Sequence, residues 1–287
     1  MKQTILAGNS HRVLSLIPDI AFSNVPAWFG ATREDLKLNL IAPKNRTGEE
    51  RFPLIIWICG GSYRLVDRAV WMPELLYFAE RGYVVASVEY RTASQAMFPA
   101  ALEDVKSAIR YLKAHAADYC IDKGRVAIMG ESAGGTLASL AAVTGYDRRF
   151  DVGDHLGENS AVHAAVDFYG IVDMLHTPFA AAGHDVPEWL LHDFLGNDYT
   201  EQDARSASAI SYIGADTPPF LILHGSADRA VPIIQSERFY DTLHKNGIRS
   251  DFYVLEGAGH GEDCFYADEI KERILLFLNE VLKNEKV

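Results

Sequence analysis

The sequence predicts an α/β fold, a mainly parallel central sheet with helices on both faces, and three observations carry that prediction. Short continuous apolar runs recur at residues 53–58, 83–88, 126–129 and 220–224, as strands buried on both sheet faces require. Segments with apolar residues at helical spacing lie between them, among them Leu102, Val105, Ile109 and Leu112. Residues able to carry chemistry follow directly on the runs, where the carboxyl ends of parallel strands gather a site.

Taken in order, the chain begins with a loosely patterned stretch in which no element is expected. Residues 35–41 then alternate polar and apolar with period two, which predicts a strand with one wet face, ended by Ala42 and Pro43. Residues 44–51 read as a charged loop, and the strand at 53–58 runs straight into Cys59-Gly60-Gly61-Ser62. A helical pattern over 73–81 is stopped by Gly82, ahead of the strand at 83–88. Pro99 suits the first position of the next helix. The turn Asp122-Lys123-Gly124 leads into the strand at 126–129, and small residues from Ala133 onward predict a helix packed closely on the sheet.

Further strands are expected at 162–169, 220–224 and 252–255, with helices over 233–245, closed by Asn246-Gly247, and over 267–282. Residues 173–217 break the rhythm. This segment is too long for an ordinary connection and is rich in His, Pro and aromatics, so it reads as short helices over the strand ends, a lid or pocket wall, or an embellishment that merely covers the sheet. With no internal repeat or low-complexity tract, the expectation is one domain over 1–287.

The formal charge of −12 argues against a nucleic-acid partner, whose backbone demands a basic face, and against anionic membranes. Three cysteines without C-x-x-C spacing, Cys59, Cys120 and Cys264, make a disulfide framework a poor fit. No apolar stretch approaches the roughly 20 residues of a membrane span, and no signal-peptide pattern is visible, so a cytoplasmic location is the expectation.

Gly130-Glu131-Ser132-Ala133-Gly134 fits G-x-S-x-G between a strand and a helix. A serine on so sharp a turn takes a strained backbone, and small residues two positions either side let strand and helix approach. Ser132 is thereby the candidate nucleophile. The other strand ends carry Cys59-Gly60-Gly61-Ser62, Glu89-Tyr90-Arg91, Asp173, His224-Gly225-Ser226-Ala227-Asp228 and Gly257-Ala258-Gly259-His260. A serine, an aspartate and a histidine thus follow separate strands, in that chain order.

With these motifs, and with Phe98-Pro99-Ala100-Ala101-Leu102-Glu103-Asp104-Val105, the chain resembles the α/β-hydrolase fold, specifically the carboxylesterase and acetyl-esterase branch related to hormone-sensitive lipase. The resemblance runs from the strand at 53–58 to His260. It implies Ser132 as nucleophile, His260 as the base that takes and returns its proton, and Asp228 as the carboxylate that orients the imidazole. Glu256 and Asp263 compete with Asp228 by proximity to His260 in sequence, but neither follows its own strand in the expected order. It also implies an oxyanion hole from the backbone N–H groups of Gly60, Gly61 and Ala133. Cys59 departs from the histidine usual there, so the bracing of that loop must come from elsewhere; its thiol reads as a small buried group ahead of a reactive one.

Glu131, adjacent to the nucleophile, reads as a structural group beneath the site, paired with a residue such as Arg91, ahead of a catalytic acid. Tyr63, Trp71, Phe179 and Trp189 are candidates for an aromatic substrate pocket. Histidines 155, 163, 176, 184 and 192 lack the i, i+4 pairing of a helical zinc motif, so no metal is expected. The glycines around Ser132 lack a nucleotide-binding pattern, and no cofactor is expected.

The function the resemblance implies is hydrolysis of short-chain or aryl carboxylic esters, small molecules or acylated plant carbohydrates with acetyl or feruloyl groups, through an acyl-enzyme. A peptidase or aryl-formamidase would use the same residues. A non-catalytic, hydrolase-like binding module would typically have lost one of the three.

Overall fold

Eight strands form a single sheet in the order β1-β2-β4-β3-β5-β6-β7-β8 in a computed structural model that describes residues 1, 3–4, 12–44, 49–176 and 188–284. The strands are β1 (Leu14–Ala27), β2 (Thr32–Pro43), β3 (Phe52–Ile58), β4 (Val84–Val88), β5 (Ile121–Glu131), β6 (Ala164–Phe168), β7 (Phe220–Gly225) and β8 (Ser250–Leu255). Pairings from β4 through β3 to β8 are parallel, whereas β1 with β2 and β2 with β4 are antiparallel. The predicted fold class, a mainly parallel sheet between two helical layers, is the one observed.

Period-two alternation in the central strands explains the two layers. Leu54, Ile56 and Ile58 of β3 join one apolar cluster, while Ile55, Trp57 and Cys59 join the other. Strand β5 divides likewise, Val126 and Ile128 from Ala127 and Met129. The first cluster is covered by α2 (Ala100–Ala114), α3 (Ala133–Val143) and α6 (Ile234–Lys245); the second by α1 (Met72–Ala79) and α7 (Asp268–Leu278). Because both faces are covered, the central strands carry near-continuous apolar runs, the pattern that made them legible.

Strand β1 was not expected. It is a long edge strand with much of its length exposed, interrupted by Pro18 at a register shift between Ile17 and Ile20 and holding a second proline, Pro26. Proline and bulges are tolerated at a sheet edge, where half the backbone groups face solvent, and they erase the alternation that would have marked the strand. The charged loop expected at 44–51 falls partly outside the described residues.

Of the segment 173–217, residues 177–187 lie outside the described residues; the remainder forms α4 (Glu188–Leu195), α5 (Glu201–Ser206) and a short turn of helix, Ala209–Tyr212. A capping box between Thr200 and Asp203 fixes the start of α5. Among the described residues no helix is long and apolar enough to cross a membrane.

Candidate active site

Ser132 sits between the end of β5 and the start of α3 with φ 55° and ψ −122°. A non-glycine residue there stores about 1–3 kcal/mol of strain and persists only if its surroundings leave no alternative. They do so here. The Ser132 N–H donates to the Phe168 carbonyl at 2.9 Å, and its own carbonyl accepts from Thr136 N–H at 3.0 Å. A side chain on Gly130 would strike the Gly134 and Ile58 carbonyls, and one on Gly134 would strike the backbone of Ile58 and Cys59. Both flanking glycines are therefore steric requirements of the turn.

His260, in the loop after β8, brings Nε2 to 2.9 Å from Ser132 Oγ, and its Nδ1 lies 2.7 Å from Asp228 Oδ2. An ionised carboxylate only accepts, so Nδ1 carries the proton and Nε2 is left bare toward the serine. The ring of Tyr169 packs edge-on against the imidazole at 4.6 Å between centroids. Tyr169 itself holds φ 46° at the end of β6.

Asp228 follows β7 and is buried, with Oδ1 accepting from Ala230 N–H at 2.8 Å and Val231 N–H at 2.9 Å. Burial alone would raise its pKa, but hydrogen bonds from His224 and His260, the electrostatic attraction of the nearby imidazole and the Val231 N–H outweigh it and hold the carboxyl well below the usual range. Sequence reading passed over His224. Its Nε2 lies 3.4 Å from Asp228 Oδ2 and 2.9 Å from the Val231 carbonyl, and its Nδ1 is 2.7 Å from Ser236 Oγ. The i, i+4 spacing of His224 and Asp228 at one strand end was the available signal. Glu256 and Asp263 make no hydrogen bond to His260 among the described residues.

The oxyanion side differs from expectation at one residue. The Gly60 N–H donates to Glu131 Oε1, so it is not free to face a substrate. Gly61, with φ 130°, has no protein acceptor for its N–H among the described residues, and its carbonyl accepts from Arg64 and Leu65 N–H at 2.9 and 3.1 Å. Ala133 begins α3, so its N–H is one of the orphan donors of a helix N-terminus.

Glu131 does not pair with Arg91. Arg91 is taken by Asp104, with Nη2 to Oδ1 at 2.8 Å, and by Glu103 at 3.4 Å, whereas Glu131 accepts from Gly60 N–H and from Trp71 Nε1 at 3.3 Å. Burial pushes the Glu131 carboxyl up from its ordinary value, opposed by those two hydrogen bonds and by His260. Cys59 is buried, and desolvation pushes its thiol up to about 12, so it is a protonated packing group; its carbonyl accepts from the Tyr90 hydroxyl at 2.9 Å.

Two recesses meet at His260. A mostly apolar cavity of about 210 Å³ is lined by Tyr63 and Trp189, as expected, and by Ser132, Ala133 and His260. Its remaining walls are Ser62, Ile171, Leu190, Ala230 and Val231, which sequence reading did not single out. Tyr63 stacks on Phe194 of α4 at 3.9 Å, and the Arg64 guanidinium covers the Trp189 ring at 3.9 Å while pairing with Asp193. Trp71 is not among the lining residues; it stacks on Tyr266 at 4.1 Å. Phe179 lies outside the described residues. The second recess is a wide groove of about 640 Å³ whose polar walls include Arg229, His260 and Glu262.

A serine on a strained strand-to-helix turn, in line with an imidazole and a buried carboxylate at the carboxyl ends of a mainly parallel sheet, defines an α/β-hydrolase. The chain belongs to the family described as BD-FAE, whose model matches residues 38–243. It is 36 % identical over 197 residues to the probable carboxylic ester hydrolase LipM of Mycobacterium tuberculosis, across 67 % of this chain and 45 % of LipM. A truncated carbohydrate esterase from gut microbiota superposes with a TM-score of 0.79 at 27 % identity, over 96 % of this chain and 99 % of that one. The propionate-bound esterase Est2 of Thermogutta terrifontis gives a TM-score of 0.73 at 26 % identity, over 91 % and 94 % of the two chains. These likenesses agree with the motif resemblance to the esterase branch related to hormone-sensitive lipase. The chain spans about half the length of the curated relatives it matches.

Proposed function

We propose that the protein is a serine carboxylic-ester hydrolase, and the observation that carries the reading is the continuous line from Ser132 Oγ through His260 to Asp228, at 2.9 and 2.7 Å. Ser132 Oγ attacks the ester carbonyl carbon as its proton passes to His260 Nε2. The displaced carbonyl electron pair settles on oxygen, held by the N–H groups of Gly61 and Ala133. Collapse breaks the bond to the alcohol, which leaves with the proton from Nε2, and water then repeats the cycle on the acyl-enzyme. Asp228 stays ionised throughout and stabilises the imidazolium. Its three hydrogen bonds and the His224 imidazole 3.4 Å away support that role.

The two recesses divide the substrate. A cavity of about 210 Å³ is smaller than the roughly 300 Å³ at which drug-sized ligand sites begin, so it suits a short acyl group, acetyl to butyryl, ahead of a feruloyl group. The bound propionate of Est2 supports this order. The wide groove beyond His260, which carries Arg229 and Glu262, takes the alcohol part, and the likeness to a carbohydrate esterase supports an acylated sugar. Within the segment 173–217, α4 acts as pocket wall of the one domain, since its Trp189 and Leu190 line the cavity.

The test is a panel of p-nitrophenyl esters of increasing acyl length with acetylated and feruloylated xylan fragments. Turnover is expected to be highest for acetyl to butyryl esters and to vanish in Ser132→Ala. Comparable turnover in Ser132→Ala, or none for any ester, would reject the reading.

A further inference from the structure

The mechanism above leaves Glu131 without a chemical role, yet its carboxylate touches the loop that lines the site. That loop runs from Gly60 to Trp71, and Glu131 Oε1 accepts at both of its ends, from Gly60 N–H and from Trp71 Nε1. Between those ends Gly61, Ser62 and Tyr63 all hold positive φ, at 130°, 55° and 59°. Two of the three are not glycine, so the run is a strained conformation that relaxes unless its ends are held. Ser62 and Tyr63 wall the small cavity, and the Gly61 N–H is the next donor along from the one Glu131 binds.

The contact is built from both partners. A side chain at Gly60 would meet the Glu131 carboxylate oxygens at 2.6 and 2.7 Å, so only glycine lets the backbone come down onto that carboxylate. The buried Cys59 thiol meets the backbone of Asp67 in the middle of the loop, and its carbonyl accepts from the Tyr90 hydroxyl, so the two ends of the loop are left to Glu131.

We infer that Glu131 is a positioning residue, a clamp whose single oxygen fixes both ends of the 60–71 loop and so aims the Gly61 N–H at the developing oxyanion. The inference rests on the hydrolase reading. Because the clamp needs an acceptor oxygen and not a charge, glutamine should replace glutamate, whereas alanine should not.

The experiment compares wild type, Ser132→Ala, Glu131→Ala, Glu131→Gln and Trp71→Phe in steady-state hydrolysis of p-nitrophenyl acetate. It also measures their affinity for a trifluoromethyl ketone, which adds to a serine hydroxyl and bears the oxyanion. Glu131→Ala is expected to lower kcat by about 100-fold, the scale of a lost oxyanion donor, with KM changed less than about threefold and ketone affinity falling in parallel. Glu131→Gln is expected to recover kcat to within about fivefold of wild type. Trp71→Phe, which keeps its ring against Tyr266, is expected to lose about three- to tenfold in kcat and ketone affinity together.

A kcat for Glu131→Ala within threefold of wild type, equal losses in the alanine and glutamine variants, or a loss confined to KM overturns the clamp while leaving the hydrolase reading intact. If Glu131→Ala does not fold, Trp71→Phe decides alone, and an unchanged kcat and ketone affinity overturns the clamp. An inactive wild type overturns both.

Discussion

Two buried aspartates at the ends of adjacent strands have opposite fates, and the contrast shows what makes a carboxylate usable in a site. Asp228, after β7, accepts from two backbone N–H groups and faces two imidazoles. Asp167, in β6, accepts one backbone N–H, from Gly170 at 3.0 Å, and its Oδ2 has no hydrogen bond among the described residues. Burial acts on both in the same direction. For Asp167 it wins and pushes the carboxyl up to about 6; for Asp228 it loses to the hydrogen bonds. Partner number decides ionisation here more than depth does, and only Asp228 is equipped to stay charged beside a histidine.

The largest test of that contrast is Asp228→Asn, which keeps the shape but presents an amide to His260. An amide lets the imidazole settle in the wrong tautomer, so kcat is expected to fall by about 10³–10⁴-fold in p-nitrophenyl acetate hydrolysis. A loss below tenfold would mean that Asp228 does not orient the base. His224→Gln removes one imidazole from Asp228 with little change of volume. About tenfold in kcat/KM is expected, the scale of one hydrogen bond to a charged group. An unchanged value would reduce His224 to packing.

Asp167→Asn should leave kcat within about threefold, because Asp167 touches neither Ser132 nor His260. Its effect lies in stability. In the native state Asp167 keeps its proton to about pH 6, whereas the unfolded chain releases it near 3.8. Stability therefore falls as pH rises between those values, by up to about 3 kcal/mol, and stays lowered above. Asn cannot ionise, so in chemical denaturation the variant is expected to gain about 1–2 kcal/mol over wild type at pH 8 and to match it at pH 4. Equal stability at both pH values would show that Asp167 is ionised without penalty.

Asp228 has the reverse sign. Its lowered pKa contributes stability that is complete above the ordinary carboxylate value and is lost as pH falls below about 4. Denaturation midpoints in that acid range should drop faster for wild type than for Asp228→Asn; parallel curves would contradict the assignment.

The parts of the molecule that were readable in advance share one property, that a local pattern encodes them. Strands β3, β4 and β7 and residues 126–129 of β5 are short, mainly apolar runs, and Ser132, Asp228 and His260 each follow a strand within a few residues. What was not readable depends on direction and on distant partners. The spacing of Cys59-Gly60-Gly61 marks a loop that hugs the site, but nothing in it says that the Gly60 N–H turns to Glu131 while the Gly61 N–H has no protein acceptor among the described residues. Arg91 was expected under Glu131, yet Asp104, on the helix that follows it, lies close enough to take it. The small cavity draws Ser62, Ile171, Leu190 and Val231 from four separate segments, which no single stretch of sequence announces. Trp71 was legible as an aromatic near the site, but its indole N–H brings it to the carboxylate and away from the cavity wall.

The central claim is that Ser132, activated by His260, is the nucleophile. Exposure to diisopropyl fluorophosphate followed by peptide mass spectrometry tests it most directly. The account predicts one diisopropylphosphoryl group per chain, on Ser132, with labelling at least about 100-fold slower in His260→Ala because the hydroxyl has lost its base. An adduct on another residue, or labelling of Ser132 at the same rate without His260, would contradict it.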